Sequence, residues 1–199
     1  SRKFATENGI THGIDDILVT SGAKQAVYTA LTAVLDPGDE VIIPSPYWVT
    51  YPEAVRLLGG VPVEVATTFE NGFKMMPAQL RAAITPRTKL ILLNSPGNHT
   101  GAVYTRTELE ALAAVIVEHD LYVLSDEIYE VMTYDGEEHC SLLRFPEIRD
   151  RLILLDGWSK TYAMTGWRLG YSVWPDALVG QVVRLCVNSH SCVNAPAQH

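Results

Sequence analysis

Short apolar runs rich in Val, Ile and Leu alternate along this chain with amphipathic helical stretches, and few folds accept that order. Strand-like runs occupy residues 17–20, 40–43, 61–65, 89–93, 121–124, 152–155 and 169–173. Helical patterns occupy 23–35, 49–58, 77–84, 107–119 and 175–187. Strands joined through helices pair side by side in parallel, because each helix carries the chain back across the sheet. Several runs are apolar throughout, as expected of strands covered on both faces. The expectation is one α/β domain, a mostly parallel seven-stranded sheet sandwiched by helices in three layers. The helix near residue 107 is the best marked: Thr105 can cap it, Glu108 follows three residues later, and Leu109, Leu112, Ala113 and Ile116 form its apolar stripe.

Open parallel sheets gather ligands outside the carboxyl ends of their strands, so the residues that follow each run carry the chemistry. Ser21-Gly22-Ala23-Lys24 follows the first run. Asn94-Ser95-Pro96-Gly97-Asn98-His99-Thr100-Gly101 follows the fourth, Ser125-Asp126-Glu127-Ile128-Tyr129 the fifth, and Asp156-Gly157-Trp158-Ser159-Lys160 the sixth. A glycine turn opening a helix leaves backbone N–H groups free for a phosphate. With neither Gly-x-Gly-x-x-Gly nor a Walker A pattern, a single phosphate is favoured over a dinucleotide or nucleoside triphosphate. Arg168, between Gly166 and Gly170, has the planar fork that suits a phosphate, though a surface arginine paired with an acid reads the same way. Lys160 can attack a carbonyl if a pocket holds it, whereas most lysines are merely solvated. Asp126 needs a partner if buried, or caps a helix over 127–132. Tyr129 and Trp48 read as site residues or as core, and Asn98 as a site residue or a turn.

Composition narrows the partners. The formal net charge of -8 argues against nucleic acid or an anionic membrane, and no run approaches a membrane span. Three cysteines match no disulfide framework, and no zinc-ligand pattern occurs, so ordinary thiols in a reducing cytoplasm and no metal are expected. Residues 2–8 read as a helix end capped by Gly9 and residues 194–199 as a helix beginning, so the chain reads as cut at both ends.

Five motifs together resemble the fold-type I, class I/II aminotransferases, the aspartate aminotransferase family. They are Thr20-Ser21-Gly22-Ala23-Lys24-Gln25-Ala26, Pro46-Tyr47-Trp48, Asn94-x-Pro96-x-Asn98-x-Thr100-Gly101, Ser125-Asp126-Glu127-x-Tyr129, and the run from Ser159-Lys160 to Gly166-Trp167-Arg168-x-Gly170. The resemblance implies that Lys160 carries pyridoxal 5′-phosphate as a Schiff base. It also implies that Asp126 binds the pyridine nitrogen, that Tyr129 and Asn98 bond the ring's phenolic oxygen, and that Trp48 stacks on the ring. Gly22, Ala23, Lys24, Ser159 and Arg168 are implied to hold the phosphate, and Trp48 and Asn98 to border the substrate. Lys160, Asp126 and Tyr129 are the implied catalytic residues, and an amino acid and a 2-oxo acid the substrates.

The resemblance further implies a homodimer with shared active sites. An arginine from a C-terminal small domain, a closing N-terminal segment and a neighbouring subunit's tyrosine do not lie in this chain, so residues 1–199 are expected to be the cofactor-binding large domain. His99 stands where the family usually has Pro, Trp158 is bulkier than usual, and Gly157 occupies a position where some members place a phosphate-binding serine. Lyases and decarboxylases share this fold, and a transcription regulator with an aminotransferase-like sensor domain is a second rival. The run Ala163 to Arg168 looks most like aspartate- and aromatic-type aminotransferases, which puts transamination first.

Overall fold

In the computed structural model, which describes residues 2–10 and 13–198, the strands are β1 (Ile17–Thr20), β2 (Glu40–Ser45), β3 (Val61–Ala66), β4 (Thr88–Asn94), β5 (Tyr122–Asp126), β6 (Leu152–Gly157) and β7 (Gly170–Val173). The helices are α1 (Ala23–Val34), α2 (Thr50–Leu57), α3 (Pro77–Ala83), α4 (Arg106–Glu118), α5 (Trp158–Thr161) and α6 (Asp176–His190). The strands form one seven-stranded sheet in the order β1-β7-β6-β5-β4-β2-β3. Every pairing from β3 to β6 is parallel, while β7 runs antiparallel to both β6 and β1.

The period of two along each strand divides the core. Val41, Ile43, Leu90, Leu92, Leu124, Ile153 and Leu155 join a cluster with Ala26, Leu31, Tyr51, Val55 and Val182 of α1, α2 and α6. The intervening Ile42, Ile91, Leu93, Val123, Leu152 and Leu154 join a second cluster with Leu80 of α3 and Leu109, Leu112 and Ile116 of α4. Helices thus cover both faces, which is the three-layer arrangement the apolar runs require. The α4 cap forms as the sequence predicts: Glu108 N donates to Thr105 Oγ1 at 3.3 Å and Thr105 N to Glu108 Oε2 at 2.7 Å. No helix among the described residues is long and apolar enough to cross a membrane.

β4, β5 and β6 run past their apolar cores into Asn94, Asp126 and Gly157, with Asn94 opposite Asp126 and Asp126 opposite Leu155 in register. There the backbones of Asn94, Asp126 and Gly157 still pair with the neighbouring strands. The helix weighed for 127–132 does not form, and Asp126 is no N-cap: residues 128–131 are a turn. The short helix α5 has no periodicity or cap from which to predict it. Phe4–Asn8 is helical and ends on Gly9 at φ 67, as expected. At the other end only a short turn, Ala195–Gln198, is helical, and His199 lies outside the described residues.

Candidate active site

With β7 reversed between β6 and β1, those two strands run the same way. The carboxyl ends of β1, β4, β5 and β6 and the amino end of β7 therefore meet at one edge of the sheet. This is how Arg168, which precedes a strand, reaches loops that follow strands. A cavity of about 350 Å³ opens there, within the roughly 300–1,000 Å³ usual for small-molecule sites. Of the sequence-predicted site residues, Ala23, Lys24, Trp48, Asn98, Asp126, Tyr129, Ser159, Lys160 and Arg168 line it. Gly22 lies directly beneath Arg168.

Asp126 is the most enclosed of these groups. Its Oδ1 accepts from Ile128 N at 3.2 Å and its Oδ2 from the Tyr51 hydroxyl at 2.7 Å. Burial pushes its pKa up to about 6, against the pull of those two donors, and the Asp156 and Glu127 carboxylates add to the rise. Asn98 Nδ2 donates to the Tyr129 hydroxyl at 2.6 Å. Asn98 N in turn donates to Asn94 Oδ1 at 2.8 Å, and Asn94 Nδ2 to Asp126 O at 3.0 Å. The turn carrying Asn98 is thereby tied to β4 and β5 even with His99, which is exposed, in place of the family's proline. Lys160 lies in α5, which follows directly on β6, its Nζ 5.6 Å from the centre of the Tyr129 ring. The Trp48 ring meets Tyr51 edge-on at 5.5 Å, and Lys24 Nζ lies 5.0 Å from the Trp48 ring centre.

At the cavity mouth, α1 starts without a side-chain cap, so N–H groups of its first turn have no intrahelical partner. Arg168 sits in the left-handed region at φ 56, which costs a non-glycine residue on the order of 1–3 kcal/mol. Its Nη1 donates to Thr165 O at 2.8 Å and its Nη2 to Ser21 O at 3.2 Å. A Cβ on Gly22, itself at φ 78, would stand 2.4 Å from Arg168 Nη2. One on Gly170 would stand 2.6 Å from Gly22 C and 2.7 Å from Ala23 N. Those two glycines let the arginine and β7 close on the start of α1. Gly157 packs the same way, since a Cβ there would come within 2.9 Å of Gly170 Cα, leaving no room for a serine.

Tyr51, Thr165 and Ile128 line the cavity without having been singled out from sequence. Tyr51 follows Trp48 by three residues, and that spacing within a helix reads first as core. Behind the site, on the α4 face, lies a second polar group. Glu127 accepts from Ser125 Oγ at 2.9 Å and Leu142 N at 3.0 Å and pairs with His139 Nε2 at 2.8 Å. Lys3 bridges Glu130, Asp156 and the Tyr171 hydroxyl. Glu127, Glu130 and His139 come close enough to hold a metal ion, but Lys3 already meets Glu130.

Comparison with known proteins agrees with this geometry. The family model for aminotransferase class I and II matches residues 1–199. The aspartate aminotransferase of Geobacillus stearothermophilus is 46% identical over 199 residues, covering 100% of this chain and 51% of that protein. The aspartate/prephenate aminotransferase of Thermus thermophilus is 47% identical over 198 residues, 100% of this chain and 51% of that protein. Among solved structures, Rhizobium meliloti aspartate aminotransferase superposes with a TM-score of 0.96 at 41% identity, over 99% of this chain and 50% of that one. The Thermus thermophilus enzyme with maleate gives 0.94 at 48% identity, over 99% and 51%. The chain thus spans about half the length of the relatives it matches. Its seven-stranded sheet, its five motifs and these likenesses place it in one family: the chain belongs to the class I and II aminotransferases.

Proposed function

We propose that the protein containing these residues moves an amino group from an aspartate-like or aromatic L-amino acid to a 2-oxo acid, using pyridoxal 5′-phosphate. The observation that carries this reading is one cavity holding an amine, a buried carboxylate, a hydrogen-bonded phenol, and an arginine beside an uncapped helix start. Each feature matches one part of the cofactor. A phosphate dianion suits the Arg168 fork and the free N–H groups of Ala23 and Lys24, with Ser159 beside them. A ring nitrogen suits Asp126, a phenolic oxygen suits Tyr129 and Asn98, and the ring face suits Trp48. The bound cofactor supplies an aldehyde that takes up amino groups and a protonated ring that absorbs the electron pair freed at the substrate's α-carbon.

The residues do the rest. Lys160 would hold the cofactor through its Nζ, and as a free amine would carry the proton of the substrate's α-carbon. Asp126 keeps the proton on the ring nitrogen, and Trp48 and Asn98 border the substrate. Residues 1–199 serve as the cofactor-binding large domain, completed by segments outside this chain. The relatives' names, aspartate and aspartate/prephenate aminotransferase, and the dicarboxylate bound in one of the neighbours support acidic substrates, and an aromatic aminotransferase of Pyrococcus horikoshii among the similar structures supports an aromatic donor. Mixing the protein with pyridoxal phosphate, reducing with borohydride and mapping by mass should label the peptide carrying Lys160. A label elsewhere, or none on the folded full-length protein, would overturn the assignment.

We propose a homodimer on a separate observation. An apolar groove of about 680 Å³ runs from Lys24 and Arg168 at the cavity mouth to Tyr28, Val49 and Leu57. Val49 is 67% and Leu57 74% exposed, and they share this groove with Tyr28 as one apolar patch of the kind that marks an interface. Leu57→Glu in the full-length protein should move its sedimentation from dimer toward monomer, and an unchanged dimer would put the interface elsewhere. A cytoplasmic location rests on the free thiols of Cys140, Cys186 and Cys192, and fractionation of native cells tests it.

A further inference from the structure

We infer that Tyr51 is a positioning residue for the proposed reaction, its phenol holding the Asp126 carboxylate ionised and fixed in orientation at the floor of the cavity. The inference rests on the cofactor reading only for what that carboxylate serves; the hydrogen bond stands by itself. Tyr51 lies in the first turn of α2, is 2% exposed, and sets its hydroxyl 2.7 Å from Asp126 Oδ2. A core tyrosine needs some acceptor for its hydroxyl, but it need not choose the one carboxylate that lines the cavity. Ile128 N serves the other oxygen. One donor on each oxygen fixes the plane of the carboxylate and leaves further lone pairs for a ligand.

The charges around Asp126 explain why such a donor is needed. From β6 comes Asp156 and from the following turn Glu127, both negative, and burial also disfavours ionisation. From β4 comes only the neutral Asn94 amide, bonded to the Asp126 carbonyl. Tyr129 is the other phenol nearby, and its hydroxyl is engaged with Asn98. Tyr51 is therefore the one side chain among the described residues that donates to this carboxylate. Burial and the neighbouring carboxylate raise the phenol's own pKa well above its ordinary value, so it stays a donor at any working pH. Trp48, one turn earlier, meets Tyr51 edge-on at 88°. The ring-stacking residue and the carboxylate's donor thus share one helix start, so moving one moves the other.

The test is a titration of the cofactor-free full-length protein with aspartate carboxyls labelled by 13C, the Asp126 resonance being assigned through Asp126→Asn. Tyr51→Phe keeps the volume and removes the donor. A lost hydrogen bond to a charged group corresponds to an upward shift of the Asp126 midpoint by about one to two pH units. Incorporating 3-fluorotyrosine at 51, a stronger donor of nearly the same size, should move the midpoint down. In the cofactor-loaded protein, Tyr51→Phe should move the acid limb of the kcat profile upward with KM little changed. Midpoints that stay in place in both variants would overturn the inference. Failure of Lys160 labelling would instead strike the aminotransfer reading and leave this titration standing.

Discussion

Lys160→Ala in the full-length protein is expected to lower kcat on the order of 10³- to 10⁴-fold and to abolish borohydride-trapped cofactor. The chain offers two amines to the same cavity, Lys24 and Lys160, so the prediction is a contrast. Lys24 leaves the first turn of α1 and rests 5.0 Å from the Trp48 ring centre. On the proposed reading, what it would bring to a phosphate is its backbone N–H, which alanine keeps. Lys160 leaves α5, directly after β6, beside Tyr129, whose hydroxyl is fixed by Asn98, and only there are a phenol and a buried carboxylate both at hand. Lys24→Ala should therefore change kcat less than about tenfold, the scale of 1.4 kcal/mol in a barrier. Arg168 and the start of α1 are untouched by Lys160→Ala, so phosphate binding should survive it, and dialysis should then remove the cofactor. If Lys24→Ala were the variant that lost both label and turnover, the roles given to the two lysines would be reversed.

The role of Lys160 was legible through the resemblance of the run from Ser159 to Gly170; read residue by residue, a lysine after an apolar strand stays open, because most lysines are merely solvated. The sheet was equally legible, because β4 to β6 must bury both faces and so contain no alternation with polar residues. Pairwise contacts far apart in sequence were not. Tyr51 is at once a core side chain and the donor to Asp126, and helical spacing reports only the first role. Lys3 meets Asp156 across 153 residues, a pairing that no periodicity encodes. Glu127 lay inside a quoted motif, but His139, its partner, sits in an irregular stretch twelve residues on. The short helix α5 escaped because four residues between a strand and a glycine-rich loop are too few to show a period.

The largest loss of stability is expected from Glu127→Ala. Glu127 and His139 are both enclosed, with side chains 3% and 9% exposed. The carboxylate also takes the Ser125 hydroxyl and the Leu142 N–H, so it ties the end of β5 to residues 139–142. Removing one member of a buried pair leaves the other uncompensated and costs about 3–5 kcal/mol. Here the cost falls on an imidazole whose Nδ1 is already buried without a partner. Burial alone would lower the His139 pKa, and the Glu127 carboxylate more than offsets it, leaving the imidazole above its ordinary value of 6.5. A raised folded-state pKa means that the folded protein binds the extra proton more tightly than the unfolded chain. The pair's contribution is then fully present below about 6.5 and is lost as pH rises through the raised value. Urea denaturation of the full-length protein across that range should show this slope in the wild type and lose it in Glu127→Ala and His139→Gln. Exchange of the Leu142 amide should accelerate in Glu127→Ala, because its acceptor is gone. Glu127 lines no part of the cavity, so turnover per folded molecule should stay within about tenfold of wild type. A variant that kept full stability but lost turnover would move Glu127 from the scaffold into the chemistry.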